Sequence, residues 1–200
     1  MTRAGILLGI SCLAVWPVCA WPGDVTDDAL AALRAGEAKQ AVRLLSEAAQ
    51  AGDLIAATNL GVLLARGEGV AQNDADALYW LLKARLMGEP RAAGMADALA
   101  RDIGKDLRAD VVDRLAQDLE SQARQGSVRA LIALGALETA VRTPADPSRG
   151  YMWFAAAAAT GDRDALILRD MVARRLSSED RQAAQAELSD LYEHIQSRFE

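Results

Sequence analysis

The chain has 200 residues, of which 52% are hydrophobic but only 4% aromatic, and its formal net charge is −6. Basic residues dispersed among an excess of acids do not form the phosphate-neutralising clusters that nucleic-acid or anionic-membrane binding requires. Alanine supplies much of the apolar share and favours helix, and no segment alternates apolar and polar between turn residues, so sandwiches and barrels are excluded and an all-α fold is predicted.

The first residues read as an export signal. Arg3 lies in a short positive start, Ile6 to Val15 is apolar, and Trp16-Pro17-Val18-Cys19-Ala20 follows, with no acid before Asp24. That order predicts a secretory signal over residues 1–20, cleaved after Ala20, and a periplasmic or secreted mature chain. The alternative is an uncleaved anchor, because the uncharged run from Ala4 to Gly23 is long enough to span a bilayer. Neither Cys12 nor Cys19 lies in a lipid-attachment pattern, and both would leave with the signal. The mature chain would then hold no disulfide, thiolate metal site or cysteine nucleophile. Loss of Arg3 would leave 21 Lys and Arg against 28 Asp and Glu.

Residues 21–26 are expected to be a short linker, and 27–200 a single helical-repeat domain. In the stretch from Glu37 to Ala51, Ala38, Ala41, Val42, Leu45, Ala48 and Ala49 fall on one helical face. Gly52, Gly88, Gly126 and Gly161 each end an alanine-containing stretch, at intervals of 36, 38 and 35 residues. Glycine just past a helix end accepts the left-handed conformation that other residues resist. One such interval suits a pair of antiparallel helices. Asp146-Pro147 and Ser177-Ser178-Glu179-Asp180 read as helix starts, the second as a capping box. In the last segment Ala184, Leu188, Leu191, Tyr192, Ile195 and Phe199 form an apolar stripe that caps the array or serves as a dimer seam.

A longer period overlies the first. Trp80 and Trp153 are 73 apart, as are Gly88 and Gly161, Ala92 and Ala165, Asp97 and Asp170, Arg101 and Arg174, and Leu115 and Leu188. Upstream, Gly52 and Gly126, Leu60 and Leu134, and Gly61 and Gly135 are 74 apart. A double-length unit therefore occurs twice, with one residue lost from a loop of the second copy.

The run Leu60-Gly61-Val62-Leu63-Leu64-Ala65-Arg66-Gly67-Glu68-Gly69-Val70, continued by Asn73, Ala77, Trp80, Ala84 and Gly88, resembles a Sel1-like repeat. Leu64 stands at the family's aromatic position and Asn73 at its aspartate. The best-matching repeat spans 53–88. A second copy over 127–161 keeps Leu134-Gly135, Asp146, Trp153, Ala157 and Gly161, but has Glu138 at the aromatic position and lacks the Gly-x-Gly-Val loop. Residues 89–126 and the capping segment 162–200 keep helix-pair length without most motif positions. The resemblance implies a right-handed α-solenoid of stacked helix hairpins, related to tetratricopeptide proteins, that binds a protein or peptide on its concave face. It also implies an adaptor of the periplasm or envelope. Small cysteine-rich relatives linked to β-lactams have cysteines this mature chain would lack.

No catalytic, cofactor or metal residue is assigned, and the binding residues are left open. Trp80 and Trp153 are expected to fill the core, with Tyr79 and Tyr151 reaching the surface and Phe154 beside them. His194 is the single histidine and has no second histidine to complete a metal set. Gly67-Glu68-Gly69 lacks the lysine of a phosphate loop. The acid pairs Asp27-Asp28 and Glu179-Asp180 are expected at helix starts, where the dipole accounts for them. A non-catalytic protein-binding scaffold is therefore the leading expectation. A structural part of a polysaccharide or cell-wall machine comes second, and an enzyme acting on an envelope substrate third.

Overall fold

Short polar side chains set six helix starts. Asp53 accepts from the backbone N–H groups of Ile55 and Ala56 at 2.8 and 3.0 Å, and Asn73 from Asp76 at 3.0 Å. Ser127, Asp146, Asp162 and Ser177 cap in the same way, at 3.2, 3.0, 2.8 and 3.0 Å. Each satisfies an N–H that the first turn leaves without an intrahelical partner. At the other ends, Gly52, Gly88, Gly126 and Gly161 have φ of 99°, 105°, 90° and 93°, the left-handed stop that their spacing predicts.

The structure, a computed structural model, describes residues 22–68 and 70–196. Among them are α1 (Pro22–Arg34), α2 (Ala38–Gln50), α3 (Leu54–Arg66), α4 (Asp74–Leu86) and α5 (Arg91–Asp102). These are followed by α6 (Lys105–Arg124), α7 (Val128–Ala136), a π-helical turn (Leu137–Val141), α8 (Pro147–Ala159), α9 (Arg163–Ala173) and α10 (Ser178–Gln196). No strand occurs among the described residues, and the fold is an all-α helical-repeat solenoid. The segment 21–26, expected as a linker, is helical from Pro22. Proline at the first helical position has its φ preset and lacks an N–H that this position does not need. Asp27 and Asp28 consequently fall beyond the first turn of α1, whereas Glu179 and Asp180 occupy the first turn of α10. The export segment expected at 1–20 lies outside the described residues.

The double period is a packing period. α3 and α7 begin at 54 and 128, α4 and α8 at 74 and 147, and α6 and α10 at 105 and 178, offsets of 74, 73 and 73. In the first unit, α4 packs on α3, α5 and α6; in the second, α8 packs on α7, α9 and α10. The second helix of each unit is thus a hub that the other three surround.

Close approach to that hub accounts for the Leu-Gly pairs. A Cβ on Gly61 would stand 2.7 Å from Leu81 Cγ and 3.1 Å from the Ala77 carbonyl oxygen, and one on Gly135 would stand 2.5 Å from Phe154 Cε1. The glycines let α3 meet α4, and α7 meet α8, more closely than any side chain permits. Alanine and leucine fill the rest, with Leu45, Leu60, Leu78, Leu81, Leu115, Leu119, Leu134 and Leu137 fully buried.

Candidate partner-binding surface

The aromatic residues divide differently from their sequence expectation. Trp153 is 5% exposed and Phe154 is buried against α7, but Trp80 is only half-buried. Tyr79 and Tyr151, expected to reach the surface, are each 6% exposed. Their hydroxyls explain why they can be buried. Tyr79 donates to Asp118 Oδ2 at 2.7 Å, and Tyr151 accepts from Gln185 Nε2 at 3.1 Å. Each tyrosine therefore ties the hub helix of its unit to the fourth helix.

The first tie carries charge. Lys83 Nζ lies 2.7 Å from Asp118 Oδ2, and Arg114 bonds Asp76 at 2.5 Å while its guanidinium sits 4.2 Å above the Tyr79 ring. Trp80 meets Tyr79 edge to face at 5.1 Å, with the Lys83 ammonium 5.3 Å from its ring centre. Burial, together with the hydrogen bond to Asp118, raises the Tyr79 hydroxyl far above its ordinary range. Burial alone would raise the Asp118 carboxyl as well. Hydrogen bonds from Lys83, Tyr79 and Gln122 outweigh that and hold it below the usual value. With its members satisfied by one another, the cluster works as a clip between α4 and α6.

Unsatisfied surface lies elsewhere. Among the described residues seven large hydrophobic side chains are exposed: Leu30, Ile55, Met95, Leu107, Leu166, Ile167 and Met171. Six of the seven are on α1, α3, α5 and α9, each the first helix of a pair, with none on α7, and only Leu107 is on a second helix. α1 touches α3, and α3 touches α5. Between α3 and α5 an open groove of about 350 Å³ has Val62, Ala65, Leu81, Met95, Ala98 and Leu99 on its walls. Arg66, Gln72, Asp74 and Asp102 complete its lining.

The Sel1 repeat family pattern matches residues 37–53, 54–89 and 128–162. The chain is a Sel1 repeat protein. Comparison with curated proteins finds no match. Among solved structures the chain is similar to a Sel1 repeat protein from Oxalobacter formigenes, at 18% identity and a TM-score of 0.32, over 86% of this chain and 88% of that one.

The three matched segments include both Leu-Gly pairs and both hub helices, and they leave out α1, α5, α6, α9 and α10. Within the last Sel1 repeat, the departure at Glu138 has a structural counterpart. Glu138 is 0% exposed and lies in the π-helical turn that prolongs α7. Its Oε2 accepts from Arg142 Nε at 2.6 Å, and Arg142 Nη1 reaches Asp113 Oδ1 on α6 at 2.6 Å. Glu138 Oε1 has no partner. Burial disfavours the charged Arg142, but hydrogen bonds to Asp113 and Glu138 prevail and raise its pKa further. Nothing in the spacing of the sequence signals the π turn; the one cue is a charged residue at an apolar repeat position.

Gly67 ends α3 with φ of 64°, and Glu68 pairs with Arg66 at 3.4 Å, while Gly69 lies outside the described residues. The side chains of His194 and of the stripe residues Leu191, Tyr192, Ile195 and Phe199 also lie outside them. Among the described residues no group of three or more His, Cys, Asp and Glu is placed to hold a metal ion, and no helix is long and apolar enough to cross a membrane.

Proposed function

We propose that this Sel1 repeat protein is a non-catalytic scaffold of the bacterial periplasm or cell envelope, and that it binds a partner protein or peptide along the first helices of its repeat pairs. The observation carrying the reading is the segregation of exposed apolar side chains. Six of seven stand on those helices, and Met95 also walls the groove between α3 and α5. Single exposed hydrophobics are ordinary, but their collection on one set of helices beside an apolar groove is what a docking surface presents. The signal-like order of residues 1–20 supports export, and intact-mass analysis of protein from the native host tests it. A chain beginning at Trp21 supports cleavage and the periplasmic placement; one beginning at Met1 opposes cleavage, and its recovery in the cytosolic fraction, not with membranes, opposes the envelope placement.

The binding test uses the full chain with a C-terminal tag in its native host, crosslinked before purification. Reproducible recovery of a partner, lost in Met95→Glu and Ile167→Glu, supports the scaffold. Turnover of an envelope substrate by purified protein that captures no partner overturns it.

A further inference from the structure

A second recess opens on a different side of α4 from the Asp118 clip. It lies between α5, the first turns of α6 and the π-helical turn. Two adjoining cavities of about 270 and 290 Å³ share Arg108, Val141 and Thr143 in their linings. Five cations line the combined cleft, Arg85, Arg101, Lys105, Arg108 and Arg142, against two carboxylates, Asp97 and Asp106. Arg85 is paired with Asp97, and Arg142 with Glu138 and Asp113, so the charges left open to a ligand are Arg101, Lys105 and Arg108 against Asp106, in a chain whose net charge is −6.

Several of the cations are fixed in advance. Arg85 is held by Asp97 at 2.5 Å, and Arg142 by Glu138 and Asp113 at 2.6 Å each. Arg108 Nη1 donates to the Ala100 carbonyl at 3.4 Å. Arg108, which has no carboxylate partner among the described residues, is thereby ordered and loses little freedom when a ligand arrives. Arg101 and Lys105 are exposed and stand in no ion pair among the described residues. Val141 is half-buried between the charges, with the edges of the core residues Leu82 and Val112 beneath it.

We propose that this cleft is the docking site for an acidic segment of a protein partner, whose carboxylates meet Arg101, Lys105 and Arg108 while its side-chain stems lie on Val141. The inference rests on the scaffold reading and adds the chemistry of one contact. A mixed lining favours a peptide over a uniform polyanion. Asp97 and Asp106 repel dense negative charge, and Val112 and Val141 offer nothing to a phosphate chain.

The second unit supplies an internal control. Between α9 and α10 a cavity of about 460 Å³ is lined by Asp170 and Arg181, which stand 73 residues after Asp97 and Arg108. Ser178 replaces Lys105 there, and Ala158 stands at the position of Arg85. Of its two lining arginines Arg169 is paired with Asp170 at 2.8 Å, which leaves Arg181 alone where the first cleft has three cations open to a ligand.

The test is anisotropy of a fluorescein-labelled oligoglutamate titrated with the purified protein. Saturable binding that weakens as salt rises is expected. Arg101→Gln combined with Lys105→Gln should weaken it by about tenfold or more, as loss of charge-assisted contacts does. Arg181→Gln should leave it unchanged. Circular dichroism checks that the variants, all at exposed positions, remain folded. Absence of saturable binding, an equal loss in Arg181→Gln, or tighter binding of inorganic polyphosphate through the same residues would each overturn the proposal. So would partner capture that survives the double variant yet is lost in Met95→Glu, an outcome that leaves the scaffold reading standing.

Discussion

The two 73-residue units share a backbone plan but join their helices with different chemistry. In the first, α4 holds α6 through Tyr79, Lys83 and Asp118, with Arg114 and Asp76 alongside. In the second, the corresponding joint between α8 and α10 has the neutral pair Tyr151 and Gln185. The first unit places Leu64 in α3 where the second buries Glu138 in a π-helical turn. Glycine at closest approach, polar caps and the left-handed stops are common to both. Backbone proximity tolerates few residues, whereas a joint between helix faces can be made by several kinds of contact. The repeat is therefore kept in its geometry and free to vary in its fastenings.

The largest effects should come from the shared geometry. Gly61→Ala and Gly135→Ala each force a methyl group into Leu81 or Phe154, and each should cost about 2–3 kcal/mol in urea unfolding. Equal losses would sharpen the equivalence of the units; a loss in one alone would break it. The joints come next. Asp118→Ala removes an acceptor serving Tyr79, Lys83 and Gln122 and should cost about 2 kcal/mol, against about 0.5–1 kcal/mol for Gln185→Ala.

Acid should separate the joints further. The folded chain holds the Asp118 carboxyl below its ordinary value, so the clip's stabilisation is complete above the unfolded carboxylate value of about 4 and disappears as pH falls through the lowered folded value. The stability difference between the native chain and Asp118→Asn should therefore stay level from neutral pH to about 5 and shrink in stronger acid. A difference that grows on acidification would contradict this. The smallest effect is expected for Glu138→Leu, which restores the first unit's residue type, leaves Arg142 with Asp113 and removes an unpartnered buried oxygen. It should change stability by less than about 1 kcal/mol, whereas Glu138→Ala, which adds a cavity, should cost more.

The contrast between local and distant causes also decides what could be read from the sequence. Asp146 before Pro147, Ser177 before Asp180 and the four repeat-ending glycines act on their own turns, so their roles follow from residue type and position. The Leu-Gly pairs were legible as a motif, though not as the points where α4 and α8 come closest. Tyr79 and Tyr151 were misplaced because their partners, Asp118 and Gln185, lie 39 and 34 residues away on helices that retain little of the repeat signature. The linker assigned to 21–26 failed locally, since a proline that breaks a helix interior begins one equally well. Neither the apolar groove nor the basic cleft was visible, because each is assembled from residues that share no motif and meet only through packing.

The most direct test of the scaffold is crosslinking capture from the native host with three exposed positions compared: Met95→Glu and Ile167→Glu on first helices, and Leu107→Glu on a second helix. A reproducible partner should be lost with the first two changes and kept with the third. Equal capture by all three variants, or loss only with Leu107→Glu, would contradict it.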